Sequence, residues 1–170
     1  MRIFRGTRAL KTRVSTTSLW PKLMHPRYLY AAQLTERIIG AAIEVHRDKG
    51  PGLVESIYEW CLMCELQLRG IAAANQQTVR VGYKRFIRDE PFRLDVLVEG
   101  CVLVEAKAVS QILPIHKAQL ISYMKLADVP IGLLINFNVM KLSDGVSRVM
   151  LPGANRSDLQ EATERAESRK

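Results

Sequence analysis

The 170-residue chain is long enough for one domain with a buried core and too short for two ordinary ones. Its balance of apolar and charged residues is that of a folded globular protein, and no uninterrupted apolar run reaches the roughly 18 residues of a membrane span. The net charge of +8 sits mainly in the first 27 residues, where Arg2, Arg5, Arg8, Lys11, Arg13, Lys22 and Arg27 occur without an Asp or Glu, whereas residues 28–152 hold 14 basic and 13 acidic side chains. The high pI therefore does not by itself mark a nucleic-acid-binding face.

Residues 1–27 lack sustained apolar periodicity and are expected to be disordered. Their composition fits a transit peptide, a basic arm or upstream translation before a start at Met24, and the last reading is preferred. The domain is expected over residues 28–152, with a charged tail over 153–170 holding four basic and four acidic residues. Cys61, Cys64 and Cys101 are an odd set without disulfide-framework spacing, which points to a reducing, cytoplasmic setting. Cys61 and Cys64 lie inside a helical pattern, where a thiol serves as a small buried hydrophobe.

From Leu34 to Lys49, Leu34, Ile38, Ala41, Ala42 and Val45 recur at three- and four-residue steps, predicting an amphipathic helix that Gly50-Pro51-Gly52 breaks. A second helix is expected from Leu53 to Arg69, stopped by Gly70. Short β-rich runs follow at Thr78–Tyr83, Phe92–Val98 and Val102–Val109. Asp89-Glu90-Pro91 and Glu99-Gly100 supply the turns of a three-strand meander. Pro114 suits the first turn of a third helix ending before Pro130. Ile131 to Val139 reads as a strand buried on both faces, and Asp144-Gly145 turns into a last strand, Val146–Leu151. The order is helix, helix, three strands, helix, strand, strand, which predicts an α/β sandwich on one mixed sheet.

Glu105 and Lys107 stand two residues apart inside the apolar strand, so they share one face with their carbons about 6 to 7 Å apart. Asp95 likewise interrupts the preceding apolar run. Charges placed in such strands cost desolvation energy unless they are paired or used. Whether Asp95 joins Glu105 depends on register. A two-residue Glu99-Gly100 turn pairs Val98 with Cys101 and sends the two carboxylates to opposite faces. A three-residue loop with left-handed Gly100 pairs Leu97 with Cys101 and brings them together. The three-residue loop is expected. A surface salt bridge of Lys107 with an acid is the competing reading of the same residues.

Gly52-Leu53-Val54-Glu55-Ser56-Ile57-Tyr58 matches the motif that names the GxxExxY protein family of the PD-(D/E)XK nuclease superfamily. Arg93-Leu94-Asp95, Glu105-Ala106-Lys107, Pro114 to Gln119 with Tyr123, and Ile135-Asn136-Phe137-Asn138 resemble its remaining blocks, in order, over about Leu34 to Leu151. Leu94 replaces the superfamily's nominal proline and Ala106 is small for its position, but neither change removes a functional group. The resemblance implies a restriction-endonuclease-like core, a central mixed sheet flanked by helices. Asp95, Glu105 and Lys107 would take the signature positions, Glu55 the place of the helix-borne acid, and Gln119 and Tyr123 that of an ancillary pair. It further implies Mg²⁺, or Mn²⁺, held by Asp95, Glu105 and Glu55, and a nucleic-acid substrate, DNA ahead of RNA, with no membrane partner and with homo-oligomerisation left open. Hydrolysis of phosphodiester bonds is the leading expectation. The alternative is a catalytically silent module of the same fold that binds nucleic acid or a protein. His116 and His46 read as polar contacts, and no phosphate-cradling glycine loop, nucleophile elbow or zinc ligand set is present.

Overall fold

A computed structural model describes residues 24–75, 78–91 and 95–155. Residues 1–23, 156–170 and the Arg93-Leu94 part of the signature block lie outside the described residues. The first helix, α1, spans Tyr28–Lys49, and its apolar stripe of Leu34, Ile38, Ala41, Ala42 and Val45 is buried as the periodicity predicts. The second, α2, spans Glu55–Leu68 and buries Tyr58, Cys61, Leu62 and Leu66. Both cover one face of a five-stranded mixed sheet and share its larger core with Val96, Val98, Val102, Val104, Ile131, Leu133 and Ile135. A smaller core on the other face joins Leu103 and Leu134 to Leu120 and Met124 of the third helix, α3, at Pro114–Ala127.

The expected meander is not what forms. Ala73–Ala74 is β1, Thr78–Tyr83 is β2, Phe86–Pro91 is β3, Val96–Val98 is β4 and Val102–Lys107 is β5. Among the described residues, strands β2 and β3 pair only with each other, across the two-residue turn Lys84-Arg85, so Asp89-Glu90-Pro91 lies in a strand and not in a turn. The main sheet runs β1-β4-β5, then β6 at Ile131–Asn136 and β7 at Val146–Met150. The β5 and β6 strands are parallel, with α3 as the crossover, and the other neighbours are antiparallel. The expected Asp144-Gly145 turn is a short helix, α4, at Leu142–Gly145.

The two ends of the sheet are held by different contacts. The Arg27 guanidinium donates to the Gly100 carbonyl and His25 N–H donates to the Ala154 carbonyl at 3.1 Å, so contacts begin upstream of the boundary expected at residue 28. At the opposite end of the sheet, a Cβ on Gly145 would lie 2.2 Å from the backbone oxygen of Asn136. Backbone at the end of a central strand yields little. Gly145→Ala is therefore expected to cost about 2 kcal/mol, seen as a lower urea midpoint with an unchanged slope.

Candidate active site

The sheet decides the geometry at the hairpin between β4 and β5. The loop is Glu99-Gly100-Cys101, with Glu99 and Gly100 at φ of 49° and 62°, and it pairs Val98 with Val102 and Val96 with Val104. It has three residues, as expected, but is shifted by one position from the predicted Leu97 to Cys101 pairing. Parity is unchanged by that shift, since each partner moves by one residue. Continuing the observed register one step sets Asp95 opposite Glu105, on the face that carries Leu103 and α3.

Three charged groups meet there. Lys107 Nζ lies 2.9 Å from Glu105 Oε1, and both side chains are largely buried, 14% and 5% exposed. The other oxygen of Glu105, Oε2, is buried with no hydrogen-bond partner among the described residues. Asp95 Oδ2 accepts from the backbone N–H of Ala106 at 3.0 Å. Burial pushes the Asp95 carboxyl up to about 6. The Lys107 ammonium opposes that rise and the Glu105 charge reinforces it. Burial works to lower Lys107, but its hydrogen bond to Glu105 and the charges of Glu105, Glu55 and Asp95 hold it above the ordinary lysine value. Lys107 is thus a fixed cation at neutral pH and not a general base.

The first turn of α2 reaches the same place from around the end of β5. Glu55 Oε1 accepts from the backbone N–H of Ala108 at 3.1 Å, where the chain leaves the strand. Tyr58 lies one turn along and holds the break that precedes the helix. Its hydroxyl donates to the Gly50 carbonyl at 2.6 Å and accepts from Leu53 N–H at 3.1 Å, while its ring stacks on Phe137 at 4.5 Å. The Gly-Pro-Gly break is therefore stapled to the helix that follows it. Tyr58→Phe removes both bonds from a part-buried loop and is expected to lower stability by about 1 kcal/mol. It should also speed amide exchange at Leu53 without touching Asp95 or Lys107.

In this arrangement Glu55 is occupied by the Ala108 amide and not directed at Asp95 and Glu105. Among the described residues no three of His, Cys, Asp and Glu stand close enough to hold an ion together. The reason is local: the start of α2 abuts the exit of β5, where the amide of Ala108 needs an acceptor once the ladder ends. Gln119 and Tyr123 are bonded to each other, Nε2 to hydroxyl at 2.7 Å, one turn apart on α3, and Tyr123 packs on the smaller core. His116 Nδ1 accepts from Leu113 N–H at 3.1 Å, and His46 Nε2 lies 2.8 Å from the Val139 carbonyl, so both act as polar contacts.

Two residues matter beyond those singled out. Buried Asn136 donates to the Val109 carbonyl at 2.8 Å and accepts from the amides of Val109 and Asn138, clamping the segment just beyond Lys107. Glu59 adds its negative charge to those that raise Asp95. Its signal was present in the chain, since it follows Glu55 by four residues on one helix face. A groove of about 820 Å³ runs along α2 past Glu59, Trp60 and Met63 to Ala73, and Asp95, Glu105 and Lys107 do not line it.

A comparison with known protein families matches residues 32–149, most of the chain, to the family described as the PD-(D/E)XK nuclease superfamily. No curated protein and no solved structure matches the chain.

Proposed function

The chain belongs to the PD-(D/E)XK nuclease superfamily, and from that premise we propose that it is a nuclease of the GxxExxY branch that hydrolyses phosphodiester bonds of nucleic acid with a divalent cation. The observation that carries the reading is the state of Glu105. One oxygen is held by Lys107, and the other is buried with no partner among the described residues, on the face that also presents Asp95. A buried carboxylate oxygen with no donor is costly unless something positive completes it. Mg²⁺ or Mn²⁺ fits that donor set, because hard cations take oxygen ligands and retain water.

Asp95 and Glu105 would hold the ion, with Glu55 in support through its charge. When bound, the ion supplies Lewis-acid charge to a phosphate and acidifies water. The chain's own residues do the rest. Lys107, fixed as a cation by the surrounding carboxylates, draws a phosphate oxygen or the attacking water toward Glu105 and offsets charge gathering on the phosphate. In the metal-free protein burial leaves Asp95 ionised only above about pH 6, so protons should compete with the cation and weaken its binding on the acid side of that value. Asn136 and Tyr58 hold the ends of the strand and helix that bear these groups. Gln119 and Tyr123 position substrate or water from α3.

The Lys107–Glu105 pair also suits a silent module that binds nucleic acid or protein without cleaving it. The test is incubation of the protein with single-stranded and duplex DNA and RNA, in Mg²⁺, Mn²⁺ or EDTA, beside Asp95→Asn. Cleavage that needs metal and Asp95 supports the nuclease. Intact substrates under every condition, with binding retained, would replace it with the silent module.

A further inference from the structure

Strands β2 and β3 form a ribbon that pairs with no other strand among the described residues and touches α3 through β2. Six residue pairs give it a length of about 20 Å. Its tip is Tyr83-Lys84-Arg85-Phe86. Tyr83 and Phe86 are cross-strand partners on one face of the ribbon, 67% and 61% exposed. Each ring lies under a cation, with Lys84 Nζ at 5.3 Å from the Tyr83 centroid and the Arg85 guanidinium at 5.2 Å from that of Phe86. On the shank, Arg80 is neutralised by Asp89 at 3.0 Å, so the charge left at the tip is positive.

Burial does not explain this arrangement, because the rings pack into neither core. Nor does general basicity of the domain. Residues 78–91 carry four basic and two acidic side chains, while the rest of 28–152 carries ten basic and eleven acidic. The positive excess of the folded part is thus concentrated in a projecting ribbon. That ribbon leads back along the chain to Asp95, four residues after Pro91.

We infer that the β2–β3 ribbon is a binding arm for single-stranded nucleic acid, with unpaired bases stacking on Tyr83 and Phe86 and phosphates meeting Lys84 and Arg85. Flat rings accept any base, and cations beside them meet the backbone between successive bases. A lipid surface would call for a broader apolar patch, and an acidic protein would leave the two paired rings without a role. The inference rests on nucleic acid being the substrate, and it adds which form of nucleic acid is gripped and where.

The test reads binding without cleavage. Labelled oligothymidine and a mixed-sequence duplex are titrated with the full chain in EDTA, by fluorescence anisotropy. Wild type should prefer the single strand. Tyr83→Ala with Phe86→Ala should weaken that binding by about tenfold or more. Tyr83→Leu with Phe86→Leu, which keeps apolar bulk on the ribbon, should weaken it nearly as much. Lys84→Ala with Arg85→Ala should flatten the dependence of log affinity on log salt by about 1.4. Ring variants that bind like wild type, or a wild type that prefers the duplex or ignores the single strand, would overturn the inference. If no substrate is cut with Mg²⁺ or Mn²⁺ while the ring variants still lose binding, the nuclease reading falls and the arm stands. If cleavage occurs and the ring variants bind normally, the arm alone falls.

Discussion

Lys107→Ala is expected to lower metal-dependent cleavage by about a hundredfold or more and to destabilise the metal-free protein by about 3 kcal/mol. Both effects have one source. The ammonium is the cation 2.9 Å from a carboxylate that is otherwise shut away from water. Without it, Glu105 has one oxygen newly stranded beside one already lacking a partner, and a buried uncompensated charge is among the largest single penalties a fold can carry. Adding Glu105→Gln separates the two effects. The double variant removes the stranded charge, so it should recover much of the lost stability while remaining inactive. Urea melts in EDTA and cleavage assays in Mn²⁺ on the same preparations decide it. A Lys107→Ala protein that folds and cuts like wild type would end the proposed role of the lysine.

Asp95→Asn is expected to raise stability in EDTA by about 2 kcal/mol at pH 7 and to leave it unchanged near pH 3. The sign follows from the direction of the shift. A carboxyl whose pKa rises to about 6 on folding, from the ordinary value near 4, holds its proton more tightly in the native state. Below about pH 4 it is protonated in both states and costs nothing. Between about 4 and 6 the unfolded chain gives up the proton first, so native stability falls as pH rises, and above about 6 the loss is constant. Partial exposure of Asp95 to water trims the full linkage figure to the value given. Asparagine keeps an oxygen to accept from Ala106 N–H and has no charge to desolvate. Metal reverses the order. Wild type should gain about 2.7 kcal/mol in Mn²⁺ at a hundred times its dissociation constant, and Asp95→Asn should gain almost nothing. Equal stability of the two proteins across pH 4 to 8 in EDTA would show that Asp95 is not strained. No metal shift in wild type would remove the cation from the site.

Elements whose signal is local were legible in the sequence. Leu34, Ile38, Ala41 and Val45 repeat at helical spacing and are buried on α1, Pro114 starts α3, and the apolar run from Ile131 is a strand buried throughout. That Asp95 and Glu105 fall on one face was also legible, since a three-residue loop fixes parity wherever it begins, and the shift by one residue left that parity intact. Tertiary structure alone decided what depends on distant partners. Asp89-Glu90-Pro91 reads as a turn in isolation, yet Thr78–Tyr83 recruits it as a strand. Ala73 and Ala74 have little strand preference and become β1 only because Val98 and Leu97 offer an unpaired edge. Glu55 is bound to the amide of Ala108, because the position of its carboxylate follows from how α2 packs against the end of β5. Asn136 became a clamp on Val109 for the same reason: parallel pairing of β5 with β6 sets it beside Lys107, and no spacing within the chain encodes that neighbour. Local periodicity reports which face an element buries, while register and strand exits are fixed by contacts between residues far apart in the chain.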